Sequence, residues 1–259
     1  MTIRPRLVSI AAAFSLLWTC IPNAETPADA SAGELSARVP RTSAGPARTG
    51  LRRLRQQDAL LYVPSGYRAR QAAPLLVMFH GAGGNAGQSI GLARGLAERQ
   101  GFLLLAPKSR AASWDIISSR SFGADVVGLD STLQEVFAAY SIDRKRVAVG
   151  GFSDGASYAL SLGLINGDLF SDVFAFAPGF VAPGRLQGKP RIFISHGTTD
   201  RVLPIGSTSR RIVPRLKRAG YKVDYEEFAG GHEIPDRIAR RFLETLAAAP
   251  RYSGEGRDP

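Results

Sequence analysis

The sequence predicts an α/β fold: one domain around a mostly parallel central sheet, with helices on both faces and no cap domain. Three observations carry this. From residue 59 onward, short apolar runs alternate with longer amphipathic stretches, the pattern of strands linked by helices. Runs such as Leu75-Leu76-Val77-Met78-Phe79 are apolar at every position, which suits strands buried on both faces. The stretch 179–190 between two such runs is only about a dozen residues, too short for an inserted lid, so the predicted site is open and shallow.

In chain order, Ala59-Leu60-Leu61-Tyr62-Val63 is the first apolar run and predicts strand 59–63. Strand 75–79 follows, then an amphipathic stretch predicting helix 88–99 and an apolar strand 102–106. Helix 124–140 leads to strand 147–151, and helix 156–165 to strand 173–177. Strand 191–195, helix 207–219, strand 222–228 and helix 234–248 complete the alternation. The catalytic domain is placed at 56–250, followed by a polar tail at 251–259.

Residues 1–30 read as an export signal. Arg4 and Arg6 precede an apolar run from Leu7 to Trp18, and Ala28-Asp29-Ala30 offers small residues at a cleavage spacing. Twelve helical residues reach only about 18 Å, short of a bilayer core. The expected location is therefore periplasmic or secreted. Leu17-Trp18-Thr19-Cys20 loosely resembles a lipidation motif, but Trp18 and Thr19 fit it poorly, so a lipid anchor at Cys20 is the lesser expectation. Residues 31–55, rich in Ala, Ser, Gly, Pro, Thr and Arg, read as a flexible leader.

Of the 259 residues, 44% are hydrophobic and 21% charged, a globular balance. A single cysteine excludes a disulfide framework and cysteine-rich metal sites, and three histidines without a paired motif leave little for a catalytic metal. No cofactor is expected. The net charge of +11 favours anionic partners, including a membrane surface, but the arginines are scattered apart from Arg48, Arg52, Arg53 and Arg55. Without a basic stripe interleaved with aromatics, nucleic acid is not an expected partner.

Chemistry is expected beyond the carboxyl ends of the strands. Val147-Ala148-Val149-Gly150-Gly151-Phe152-Ser153-Asp154-Gly155 is an apolar strand running into Gly-x-Ser-x-Gly at the start of a helix. Such a turn lifts a serine hydroxyl above the sheet edge at the electropositive end of a helix. Ser153 needs a base. His80 and His196 each end a strand and are read as organisers of local hydrogen bonds. His232 follows the last strand after Gly230-Gly231, which let a loop fold its ring back over the sheet. Asp200, just past strand 191–195, is the acid that would orient it. Asp172 precedes a strand and Asp224 lies inside one. Ser153, Asp200 and His232 thus fall in the order Ser…Asp…His.

Leu75–Phe79 runs into His80-Gly81-Ala82-Gly83-Gly84-Asn85, where small residues let backbone amides approach a developing oxyanion. The candidate donors are the N–H of Ala82, or of Gly83, and that of Asp154, whose carboxylate must then face elsewhere. Gly81-x-Gly83-x-x-Ala86 also fits a dinucleotide fingerprint, with Lys108 and Arg110 near a second phosphate position. An NADP reductase would leave the three strand-end residues unexplained and would find little NADP after export. Trp114, Asp115 and Phe180 are candidate pocket walls, each read first as a packing or turn residue.

Over residues 60–246 the chain resembles bacterial carboxylesterase/phospholipase-type α/β-hydrolases, the group with polyhydroxybutyrate depolymerase-like and acyl-protein-thioesterase-like enzymes. The likeness rests on His80-Gly81-Ala82-Gly83-Gly84, Gly151-Phe152-Ser153-Asp154-Gly155-Ala156-Ser157, His196-Gly197-Thr198-Thr199-Asp200 with Val202-Leu203-Pro204-Ile205, and Gly230-Gly231-His232. It implies an α/β-hydrolase fold and hydrolysis of small-molecule or lipid-like carboxylic esters or thioesters through an acyl-enzyme. Asp154-Gly155-Ala156 departs from the Gln-Gly-Gly of the thioesterase branch, and the disulfides of secreted depolymerases are impossible here. A peptidase with the same residues, and a non-catalytic binding protein of the same fold, are the alternatives.

Overall fold

The computed structural model describes residues 29–41 and 48–247. The apolar run at 7–18, Cys20 and the tail at 251–259 lie outside the described residues. Eight strands form one sheet: β1 Gly50–Arg53, β2 Leu60–Val63, β3 Ala73–Phe79, β4 Leu103–Ala106, β5 Ile142–Phe152, β6 Asp172–Phe176, β7 Arg191–Gly197 and β8 Val223–Phe228. Their spatial order is β1-β2-β4-β3-β5-β6-β7-β8. The β1–β2 and β2–β4 pairs are antiparallel and the rest parallel.

Among the described residues five helices lie between strands, α1 Ala86–Gln100, α2 Asp115–Ser118, α3 Ala124–Ala139, α4 Asp154–Ile165 and α5 Ser209–Arg218, and α6 Asp236–Ala247 follows β8. The pleat divides the core. On β3, Leu75, Val77 and Phe79 join a cluster with Leu129, Leu133, Leu160 and Ile212 from α3, α4 and α5. Leu76 and Met78 face the opposite layer with Ile90, Phe242 and Leu243 from α1 and α6. The continuous apolar runs are therefore buried on both faces. Asn85 and Gln88 form a reciprocal capping box that starts α1 close to the glycine-rich loop.

One sequence expectation is corrected. Residues 31–41 and 48–55 are not a flexible leader. Leu35, Ala37 and Val39 are buried. Asn166 accepts from Leu35 N–H at 2.8 Å and donates to the Gly33 carbonyl at 2.8 Å. Asp130 accepts from the amides of Ser36 and Ala37, and Arg38 pairs with Asp168 at 2.6 Å. Further on, Gly50–Arg53 adds an edge strand instead of a linker. The physical reason is that alternate small apolar side chains, weak in composition, suffice when neighbouring elements supply the hydrogen bonds.

The link from β6 to β7, residues 177–190, contains no helix, whereas every other connection between consecutive strands from β3 onward does.

Candidate active site

The site is assembled where β3, β5, β7 and β8 end. Ser153 sits between β5 and α4 with φ 56° and ψ −119°, a conformation a non-glycine residue holds only under constraint. Its amide donates to the Phe176 carbonyl at 2.9 Å, and its carbonyl accepts from Ala156 and Ser157 as the first turn of α4. The flanking glycines are demanded by contact. A Cβ at Gly151 would overlap the Gly155 carbonyl, and one at Gly155 would overlap the carbonyls of His80 and Phe79. The turn is thus wedged against the end of β3.

His232 lies on the loop after β8. Its Nε2 is 2.8 Å from Ser153 Oγ and its Nδ1 is 2.6 Å from Asp200 Oδ2. The Phe152 ring supports the imidazole at 4.7 Å between centroids. The loops carrying Asp200 and His232 are laced together by Thr198 N–H to the Phe228 carbonyl and Thr199 N–H to the Gly230 carbonyl. The structure therefore brings Ser153, Asp200 and His232 into one chain of hydrogen bonds. Asp172 instead opens β6 and pairs with Arg191 at 2.7 Å, and Asp224 pairs with Arg241 at 3.0 Å.

Asp200 is buried, and burial alone would raise its pKa. The His232 hydrogen bond, with the Leu203 and Val202 amides at 2.8 Å on Oδ1, outweighs this and holds the carboxyl below its ordinary value. Sequence reasoning missed a further neighbour. His196 Nε2 lies 2.8 Å from the Leu203 carbonyl and 3.1 Å from Asp200 Oδ2, while Nδ1 is 2.7 Å from Ser209 Oγ. A carbonyl only accepts, so Nε2 carries the proton and Nδ1 accepts from Ser209. Burial lowers the His196 pKa and favours that neutral form. The signal was present in the four-residue spacing of His196 and Asp200, but only the loop's fold shows that the two side chains meet.

His80 also binds locally, Nδ1 to the Gly81 carbonyl at 2.7 Å and Nε2 accepting from Ser109 N–H at 3.1 Å. Burial lowers its pKa as well. Trp114 is wholly buried, so it is a packing residue and not a pocket wall. Its indole donates to the His80 carbonyl at 2.9 Å and stacks on Tyr158 at 4.9 Å. Asp115 is buried at the start of α2, and its Oδ2 receives the amides of Gly123 and Asp125. Phe180 is half-buried against the core.

In the glycine-rich loop, Gly83 N–H is spent on the Ala112 carbonyl at 2.6 Å and Gly84 N–H on the Gly81 carbonyl at 3.0 Å. Two of the amides a phosphate cradle needs are therefore occupied, and Arg110 is engaged with the Ala124 carbonyl, which argues against the dinucleotide reading. Ala82 and Asp154 N–H have no hydrogen-bond partner among the described residues. The Asp154 carboxylate is turned onto Ser113 Oγ at 2.6 Å. Beside Gly81 and Ala82 opens a cavity of about 340 Å³ lined by Met78, Leu92, Phe152 and Ile234.

Two family models match the chain: phospholipase/carboxylesterase over residues 123–248 and esterase PHB depolymerase over residues 58–182. A bifunctional acetylxylan esterase/xylanase of Neocallimastix patriciarum is 28% identical over 155 residues, 57% of this chain and 22% of that protein. A probable feruloyl esterase C of Aspergillus clavatus is 28% identical over 163 residues, 60% of this chain and 58% of that one. The chain therefore spans less than two thirds of these curated relatives. Among solved structures, esterase PE8 aligns with TM-score 0.59 and 21% identity, covering 76% of this chain and 100% of that one. S-formylglutathione hydrolase FrmB of Staphylococcus aureus aligns with TM-score 0.60 and 13% identity, covering 81% and 99%. These structures share the α/β-hydrolase fold with the chain.

Proposed function

We propose that this chain, which is similar to the phospholipase/carboxylesterase family over residues 123–248 and to the esterase PHB depolymerase family over residues 58–182, is a cofactor-independent serine hydrolase of carboxylic esters. The observation that carries the reading is the hydrogen-bond chain from Ser153 through His232 to Asp200. Ser153 Oγ attacks the ester carbonyl as His232 Nε2 takes its proton. Asp200 holds the imidazole by Nδ1 and stabilises the imidazolium. The amides of Ala82 and Asp154 receive the oxyanion. The imidazolium then protonates the departing alcohol, leaving an acyl-Ser153 ester. Water, deprotonated by His232, adds to that ester and releases the acid and the serine.

The pocket beside Gly81 and Ala82 is apolar and large enough for a small acyl or aryl group. Acetyl and hydroxycinnamoyl esters of carbohydrates, suggested by the names of the acetylxylan and feruloyl esterase relatives, are the first substrates to try. Thioesters belong in the same panel. The test is hydrolysis of p-nitrophenyl acetate and labelling by a fluorophosphonate. Wild type should do both and Ser153→Ala neither, with turnover lower by about 10⁴–10⁶. Unchanged activity in Ser153→Ala sinks the proposal, and faster cleavage of matched amides than esters turns it into a peptidase.

Export by the N-terminal signal, with contact to a membrane surface through the positive charge, is part of the same proposal. No helix among the described residues is long and apolar enough to cross a membrane. Sequencing the mature N-terminus tests export. A cut after Ala30 would remove Asp29, whose carboxylate accepts from Ser31 N–H and caps the first turn, so cleavage upstream of Asp29 is the expected result.

A further inference from the structure

The helix-free link from β6 to β7 leaves space on one face of the sheet. The segment is fastened to α4: Gly179 N–H donates to Ser157 Oγ and Ala182 N–H to Ser161 Oγ, both at 2.9 Å. Gln187 N–H reaches the Leu164 carbonyl at 2.9 Å. Between this segment and α5 lies a cavity of about 600 Å³. That is within the range of about 300–1,000 Å³ typical of small-molecule sites. Its walls are mostly apolar: Leu164, Phe180, Val181 and Leu186 on one side, Ile212 and Leu216 on the other.

Three polar groups in those walls lack partners. The Tyr221 hydroxyl is buried with no hydrogen bond, on a residue 5% exposed, and its ring is fixed under the Lys189 ammonium at 4.2 Å. Arg211 and Arg215 line the cavity one helical turn apart. Neither guanidinium has an ion pair or hydrogen bond among the described residues, whereas that of the adjacent Arg210 forms a two-point bond to Glu227. Like charges at this spacing repel and cost an isolated helix stability, a cost that a bound anion removes. A guanidinium pair above an apolar trough matches a molecule with a carboxylate at one end and a hydrocarbon body.

From this we infer that the cavity is a binding site for an amphipathic monocarboxylate, an aliphatic acid whose chain lies between the 179–186 segment and α5 and whose carboxylate is held by Arg211 and Arg215. Ser153, Asp200 and His232 are not among the residues that line it, and the inference does not rest on the hydrolase reading.

Decanoate binding to Ser153→Ala protein, followed by calorimetry, tests it. The expected result is saturable binding that weakens with salt and tightens about three- to fourfold per methylene from octanoate to dodecanoate. The double variant Arg211→Gln/Arg215→Gln should bind about ten- to a hundredfold more weakly. Leu186 is half-exposed, so Leu186→Glu should fold normally and also lose affinity by repelling the acid. A diazirine-bearing decanoic acid should label residues within 179–186 or 211–221. Undiminished binding to the double variant, equal affinity for 1-decanol, or labelling confined to the loops of Ser153 and His232 overturns the inference. If wild type instead fails on every ester while decanoate behaves as expected, only the hydrolase proposal falls.

Discussion

His196 and Asp200 are joined inside the protein by an Nε2–Oδ2 approach of 3.1 Å, on the same carboxylate oxygen that receives His232. With two amides on the other oxygen, the carboxylate is held on both sides and cannot rotate away from the imidazole. His196→Phe should keep the ring volume but lose this donor. It should also orphan the Leu203 carbonyl and the Ser209 hydroxyl. We expect kcat on p-nitrophenyl acetate to fall about tenfold with KM little changed, and stability to fall by about 1–3 kcal/mol in urea denaturation.

Asp200→Asn should lower turnover by about 10⁴, because an amide favours the wrong tautomer of His232. Its stability effect should depend on pH. The folded carboxyl lies below the ordinary value of 3.8, so its contribution is complete above that pH and is lost as pH falls through the folded value. The difference in urea midpoint between wild type and Asp200→Asn should therefore be larger at about pH 5 than at about pH 3. A difference that grows on acidification would contradict the assigned direction.

Gly155→Ala tests the wedge beneath Ser153. Its methyl would meet the carbonyls of Phe79 and His80, backbone atoms at the end of a central strand that cannot step aside. A loss of about 3 kcal/mol in unfolding free energy is expected, with activity reduced more than stability alone explains.

Asn166→Ala should free the N-terminal segment without touching the site. The two amide-mediated bonds to Leu35 and Gly33 vanish, for about 2–3 kcal/mol. Limited proteolysis within residues 33–41 should quicken, while turnover of p-nitrophenyl acetate stays within about twofold.

What the sequence made legible followed from how local each signal was. Strands such as β3 and β4 are runs of apolar residues, and the turn at Ser153 is a strand, a glycine, a serine and a helix in immediate succession. Asp200 and His232 were found because each follows a strand. The N-terminal segment was misread because Leu35, Ala37 and Val39 are separated by polar residues in a stretch of low-complexity composition. Their period of two was visible, but the partners Asp130 and Asn166 lie far along the chain. Strand β1 was missed because four residues carrying two arginines look like a solvated edge. The contact of His196 with Asp200, and the cavity beside α5, depend on tertiary placement that no short window encodes.

The fastening of residues 29–41 also sets an order of events as the polypeptide matures. Leu35 waits for Asn166, 131 positions later, Arg38 for Asp168, 130 later, and Ser36 for Asp130, 94 later. These are the earliest-synthesised of the described residues, yet their docking requires α3 and α4 to exist first. Closing such long loops is entropically slow. Residues 29–41 must therefore remain unsecured until most of the domain has been made, and their attachment should be among the last steps of folding.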